Sequence, residues 1–491
     1  MKKVIILFLI MTTYLFSQSW NSIVTTTINE PNLVKMDLFT NKDGNHIIVQ
    51  NSNSSNSIKY YLLNSSGTVV RSSTIETSGG AEFPNISGDN DKIYVVYKIG
   101  SNLRVRKSTN AGQSWITSIV DKDIGNNTCN GVDIVYGYGA LHVVYAMQDN
   151  GSNYETYYRR ISSDTWGSRE DVTGYGTEVG GFPTVTVSPN RVHVSYNTGN
   201  GSTPYSNFGD AKTRDKYYST WQAPKPVTQG DEESAREKVQ VRTTTLYDFY
   251  YEPWVDLGQF GYHLIVKTKP ISSGNWSGHT QLDTYTADPW PFMGAEQTAD
   301  NNLNIVYLSD DAMNHRSFDG TNWSAPFEIT NDFLYYTNLG YSTVSNDLYV
   351  SWKPHGSNYI KYRQYDASPL VPQNFDVGVY QTQYDSYPKL TWALNDEPDV
   401  RENNVNGYLI ERKIKFGNFQ QIAAVSGQIS EYIDYDVHYA GSGPNTAEYR
   451  IRANDVNNHP SGYTPIVSIN WGNAYKKGNM GETKVMEYSL S

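Results

Sequence analysis

One short apolar pattern returns along most of the chain. It reads Ile93-Tyr94-Val95-Val96-Tyr97, then Leu141-His142-Val143-Val144-Tyr145, then Val192-His193-Val194-Ser195-Tyr196. Two further copies span 303–307 and 348–352, and a weaker first copy ends at Gln50. A short, mainly apolar run closed by an aromatic is the pattern of a strand. The end points 50, 97, 145, 196, 307 and 352 lie 47, 48, 51, 111 and 45 apart, so the long gap holds two periods. Leu246-Tyr247-Asp248-Phe249-Tyr250 fills it, which makes seven units.

A second landmark keeps step. After each such strand come another strand, a polar turn and a tryptophan: Trp115, Trp166, Trp221, Trp276 and Trp323. A further short strand precedes each copy, as in Phe83-Pro84-Asn85-Ile86 and Phe182-Pro183-Thr184-Val185. Four strands at a period near fifty residues predict a β-propeller blade. The seventh unit lacks its Trp strand, while Trp20-Asn21-Ser22-Ile23-Val24-Thr25 stands alone at the front. The two defects complement each other, so the N-terminal strand is expected to close the ring and remove the open sheet edges.

The pattern changes at Pro369-Leu370-Val371-Pro372, a stiff linker. Segments 374–380, 389–393, 407–415, 419–425, 432–435, 447–453 and 464–469 then read as seven short strands, which suits a β-sandwich. Residues 473–491 are polar and patternless and read as a tether. The expected fold class is all-β: a seven-bladed β-propeller over 20–369 and a C-terminal β-sandwich over 370–472.

Composition adds three points. Forty Tyr and 11 Trp favour strands. A net charge of −11 with no basic run disfavours nucleic acid and anionic membrane surfaces. Residues 1–19 read as a signal peptide: Lys2 and Lys3, an apolar run from Val4 to Met11, then Ser17 or Ser19 for cleavage. That run is too short to span a bilayer, so a secreted or surface-displayed protein without membrane insertion is expected, as a monomer. Cys129 stands alone, so no intrachain disulfide can form, and it reads as a small buried apolar residue.

Ser108-Thr109-Asn110-Ala111-Gly112-Gln113-Ser114-Trp115 resembles the Asp box of sialidase-like BNR propellers, with Asn110 in place of the usual Asp. Ser317-Phe318-Asp319-Gly320-Thr321-Asn322-Trp323 is a copy one residue short. Such turns are structural: the Asx side chain bonds turn N–H groups and Gly takes positive φ. The C-terminal module resembles fibronectin type III domains through Leu390-Thr391-Trp392, Tyr408-Leu409-Ile410-Glu411-Arg412 and Tyr449-Arg450-Ile451-Arg452-Ala453, with Tyr449 in the tyrosine-corner role. The last residues, 486–491, resemble the lead-in to the C-terminal sorting domain of type IX-secreted bacterial proteins, whose signature would follow residue 491.

Propeller ligands are expected where the chain enters the innermost strands. Carboxylates near those points are Glu82, Asp133, Glu178, Glu237 and Glu296. A pair of them could serve as acid and base on a glycosidic bond; the alternative is a set of solvated loop charges. The sialidase resemblance would imply an Arg-Ile-Pro motif, three converging arginines and a Tyr/Glu nucleophile pair. The motif is absent, although Arg236, Arg242, Tyr247, Tyr250, Glu237 and Glu252 lie together near the fifth unit. That unit is the longest, and its expected insertions carry Tyr250, Tyr251, Trp254, Trp290 and Phe292. On loops such aromatics would stack on sugar rings or anchor a protein. The alternative is that they fill gaps in their own blade. No cofactor is expected, and no metal site: nine His are scattered, and Lys42-Asp43-Gly44-Asn45 lacks the spacing of a calcium loop. The leading expectation is a binding protein for a glycan or an extracellular protein. An exo-glycosidase of sialidase-like shape and a structural cell-envelope component are the rivals.

Overall fold

The computed structural model describes residues 19–471 except 53–56, 65, 78–79, 118, 120–121, 125–128, 149–153, 175–179, 199–208, 229–234, 257–258, 273, 286–292, 299, 310–311, 333, 343–345, 367, 384, 396, 402–403, 415–416, 438–444 and 457. The expected signal peptide and the 473–491 tether lie outside the described residues. The chain divides into two bodies, one of residues 20–343 and 347–365, the other including 346 and 366–471. No helix among the described residues is long and apolar enough to cross a membrane.

Among its described residues the first body contains seven small antiparallel sheets. Sheet 1 runs through Leu33–Asn41, Gly44–Asn51, Ile58–Leu63 and Val69–Glu76. Sheet 2 starts with Ala81–Gly88, sheet 3 with Cys129–Gly137, sheet 4 with Gly181–Ser188, sheet 5 with Ala235–Arg242 and sheet 6 with Met293–Gln297. Sheet 7 joins Leu334–Tyr341, Leu348–Pro354 and Tyr359–Asp366 to Ser19–Trp20 and Val24–Asn29, so the first and last strands of the ring share one sheet. The first strand of each sheet lies against the first strand of the next, and that of sheet 7 against that of sheet 1. The sheets therefore form a ring with their first strands around its axis.

This arrangement explains the repeat. A second strand has a sheet on either side, so all its side chains are covered: Leu348–Pro354 is buried throughout. Third strands alternate, as in Asn102–Ser108. Apolar clusters fill the spaces between sheets, for example Ile48, Tyr60, Ile86, Val95 and Tyr97 between sheets 1 and 2. The tryptophans wedge into the same spaces. Trp115 meets Tyr60 edge-on at 5.1 Å and donates to Ser73 Oγ at 3.0 Å, both on the preceding sheet. Trp221 meets Tyr158 at 5.5 Å and donates to Glu170 at 2.8 Å in the same way.

The aromatic that ends the second strand has a partner of its own. Tyr97 donates to Glu76 at 3.0 Å, Tyr307 to Asp283 at 2.7 Å, and Trp352 to Asp332 at 2.9 Å. Each carboxylate comes from the end of the preceding sheet. Arg104 and Lys361 add ion pairs to Glu76 and Asp332. Buried hydroxyl and indole donors need such acceptors, and here the acceptor latches one sheet to the next.

The second body has two sheets among its described residues. One pairs Asp376–Gln381, Ser386–Thr391 and Glu431–Ile433; the other is ordered Gln420–Val425, Tyr408–Ile414, Asn445–Ala453, Val467–Trp471. Val377, Leu390 and Trp392 from the first side and Tyr408, Ile410, Tyr449, Ile451 and Ile469 from the second share one apolar core. Tyr449 does bond an upstream group, but its hydroxyl donates to the Asp434 carboxylate at 2.8 Å, which Arg412 also holds at 2.7 Å.

Candidate functional site

The first strands carry polar side chains at alternate positions, and period-2 alternation sends them to the axis of the ring. There they bridge from sheet to sheet. Asp37 accepts the N–H of Ile86 at 2.7 Å on sheet 2 and an amide N–H of Asn338 on sheet 7. Ser87 accepts the Tyr136 N–H at 2.9 Å, Asp133 the Val185 N–H at 2.9 Å, and Thr184 the Val239 N–H at 3.2 Å. Gln240 accepts from Thr186 at 2.8 Å and donates to Ala295 O at 2.9 Å and Glu296 at 3.1 Å. Between sheets 6 and 7 the strands pack directly: a Cβ on Gly294 would come within 2.5 Å of Leu339.

Four of these axial groups carry charge chemistry. Lys238 Nζ lies 3.8 Å from Asp133 Oδ2, longer than an ordinary hydrogen bond. Burial would lower its pKa, but Asp133, Glu296 and Asp37 outweigh that and raise it, so the ammonium stays charged. Burial, with Asp133 and Asp37 adding to it, pushes Glu296 up to about 7. Burial likewise lifts Asp37 to about 6 against its backbone donors. Lys238 and Asp133 keep partial solvent exposure, 27% and 21% of their side chains, although protein surrounds them. Near neutral pH the axis thus offers an O–H donor at Glu296, the ionised carboxylate of Asp37 and the ammonium of Lys238. Such a set can bind a hydroxyl-rich ligand or exchange protons with one.

The N-terminal ends of the first strands are irregular. Register shifts break the ladder at Glu82/Asn85, Cys129/Gly131, Gly181/Thr184 and Ala235/Lys238. Phe83 and Phe182, each followed by Pro, take φ of +55° and +47°. Bulky residues adopt that region only at a cost, and such bulges re-aim side chains. Lys35 sits 5.4 Å from the Phe83 ring centroid. Cys129 lies here too; burial pushes its thiol up to about 11, so it remains an unreactive S–H.

The expected site residues separate on this frame. Asp133 and Glu296 come together on the axis; they are strand residues of the ring interior, which corrects the picture of solvated loop charges. Glu82 pairs with Lys98 at 2.8 Å. Glu178, Trp290 and Phe292 lie outside the described residues, as do the side chains of Arg236 and Glu237. Tyr250 and Tyr251 are fully buried, which corrects the loop reading of both. The fifth unit lengthens as paired strands, Thr245–Asp256 with Gln259–Pro270, so alternation turns Tyr250 towards sheet 4 and Tyr251 towards sheet 6. Arg242 donates to Asn301 O at 2.6 Å and Asp319 O at 3.0 Å, clamping turns of sheet 6 at the far end of the first strands. Glu252 faces His263 across the ladder, and Trp254 stacks on His263 at 5.8 Å.

Asp37, Lys238, Gln240 and Asn338 were not picked out from the sequence. Their signal is a polar residue recurring inside each first strand, directly beside a buried apolar residue such as Leu38, Val239 or Leu339. A different constellation is excluded as an active site: Ser188, His193 and Asp215 form a hydrogen-bonded line at 2.8 and 2.8 Å, but all three are buried, and Lys269 holds Asp215. His193 occupies the second-strand position of His46 and His142, which pair with Tyr60 and Tyr158. The line is part of the scaffold.

No protein-family model matches the chain, and no curated protein matches it in sequence. Solved structures resemble it at low identity. The α-L-arabinofuranosidase Arb93A from Fusarium graminearum shares 11% identity over 70% of this chain and 97% of its own, with a TM-score of 0.43. A protein of unknown function from Dyadobacter fermentans shares 10% over 70% and 98%, TM-score 0.41. A neuraminidase-like protein from A/bat/Guatemala/164/2009 shares 9% over 59% and 89%, TM-score 0.37.

Proposed function

We propose that this chain is an exported, monomeric glycan-binding protein: a seven-bladed β-propeller whose axial cluster takes the ligand, followed by a fibronectin type III-like module acting as spacer. The observation that carries the reading is Lys238. Its ammonium sits among the carboxyl groups of Asp133, Glu296 and Asp37, with Asp133 Oδ2 at 3.8 Å and part of the side chain open to solvent, so a ligand hydroxyl can reach it. Glu296 and Asp133 beside it supply the acceptors that sugar hydroxyls need. The test is a glycan array with the full chain. Lys238→Met and Glu296→Gln should each weaken the best glycan at least about tenfold, the scale of one charge-assisted hydrogen bond. Unchanged binding in both would remove the axis from the reading.

A second reading has one observation in its favour. Glu296 keeps a proton near neutrality beside the Asp133 carboxylate, and an acid next to a base is what glycoside hydrolysis uses. Turnover of a fluorogenic glycoside that disappears in both Glu296→Gln and Asp133→Asn would establish the hydrolase and displace the binding-only reading.

A further inference from the structure

In the second body, Asp366, Asp455 and His459 bring one ligand atom each to within 4.8 Å of one another. We infer that they form a site for a divalent transition-metal ion of the zinc or manganese class.

The geometry is built by a tight turn. Asp455 Oδ1 accepts the His459 N–H at 2.8 Å, and Asn458 N donates to Asp455 O at 3.2 Å, so the turn folds the imidazole back over its own Asp. Asp366, the residue where this body begins, meets them. His459 Nδ1 is then 3.1 Å from Asp455 Oδ2 and 3.4 Å from Asp366 Oδ2. Both carboxylates are buried, with side-chain exposures of 2% and 0%.

The second observation concerns the imidazole. Nδ1 is sealed from solvent, yet it makes no hydrogen bond to either carboxylate. A buried ring nitrogen with two carboxylate oxygens at 3.1 and 3.4 Å and a hydrogen bond to neither has the spacing of a ligand to a common centre: a dication bound at about 2.0–2.2 Å to N and O ligands puts those ligands a little over 3 Å apart. One imidazole with two carboxylates favours a borderline ion over Ca²⁺, which takes six to eight oxygens. Water completes the shell.

The test uses full-length protein stripped with chelator. Isothermal titration with ZnCl₂, MnCl₂ and CaCl₂ should show one site for Zn²⁺ or Mn²⁺ and at least tenfold weaker binding of Ca²⁺. Co²⁺ should give a visible d–d absorption band. Asp366→Asn and His459→Gln, checked for folding by circular dichroism, should each weaken binding at least tenfold and remove the band. Zinc heat and cobalt band that persist in both variants would place the metal elsewhere and overturn the inference. So would a folded wild-type chain that shows neither, leaving a plain Asp–His–Asp ion cluster.

Discussion

At the scale of single residues, two positions carry opposite lessons. Gly112 sits in the box turn at φ +74°, where a Cβ would approach the Tyr60 ring to 2.1 Å. Gly112→Ala combines backbone strain with a clash against a buried ring, and should cost roughly 2 kcal/mol or more in urea unfolding. That requirement was legible, since Asn110 and Gly112 stand in the resembling motif, and Asn110 Oδ1 does accept the Ser114 N–H at 2.9 Å. Glu296 was legible only as one of five carboxylates near the expected entries to the innermost strands. Its folded pKa, about 7, exceeds its ordinary 4.5. The unfolded chain therefore releases the proton first, and this group subtracts stability as pH rises from about 4.5 to 7. Glu296→Gln should leave stability unchanged at pH 4 and raise it by about 1–3 kcal/mol at pH 7.5, read by urea titration at both pH values. A difference that does not grow with pH would contradict the burial of this carboxyl.

At the scale of elements, the second strands run the opposite way with pH. His46 and His142 occupy the same second-strand position, and His315 lies on a third strand against Asn304. Burial holds their pKa values down, at about 3, 4 and 3. Each is neutral in the fold and protonates in the unfolded chain below about 6.5, so their contribution is lost as pH falls from there towards 4. The opposing gain from Glu296 and Asp37 is smaller in number of groups. Stability at pH 4.5 should thus fall below that at pH 7, and His142→Gln should lose about 2 kcal/mol less over that interval than the wild type. The second strands were plain in the sequence because cover on both faces leaves an unbroken apolar run. The first strands were not. An axial face and a solvent face produce the same alternation, so nothing in the sequence set Asp37, Lys238 and Asn338 apart. The extended hairpin of sheet 5 misled for the converse reason: Tyr250 and Tyr251, adjacent and aromatic, read as a loop until pairing sends one to each neighbouring sheet.

At the scale of the whole molecule, stability depends on closing a ring with non-covalent contacts. Trp20 is buried, edge-on to His315 of sheet 6 at 5.2 Å and tilted on Tyr365 of sheet 7 at 5.3 Å. Thr26 donates to Ile360 O at 2.7 Å, and Ile28 joins the core between sheets 7 and 1. Eleven residues at one end of the chain thus cover the edge strand Tyr359–Asp366 and fill two inter-sheet spaces. Trp20→Ala should cost about 3–5 kcal/mol through the cavity it leaves. Removing everything before Glu30 does more: it also uncovers the backbone donors and acceptors of Tyr359–Asp366, an open edge that invites pairing with another copy. Such a chain should melt by roughly 10 °C or more below the full protein and elute as oligomers in size-exclusion chromatography. A synthetic peptide of residues 19–29 should restore both the melting point and the monomer, because the missing strand needs no covalent link to pair. If the truncated chain melts with the full protein, the ring is held by the latches at Glu76, Asp283 and Asp332 and the axial belt alone, and the N-terminal strand is a cover without a structural role.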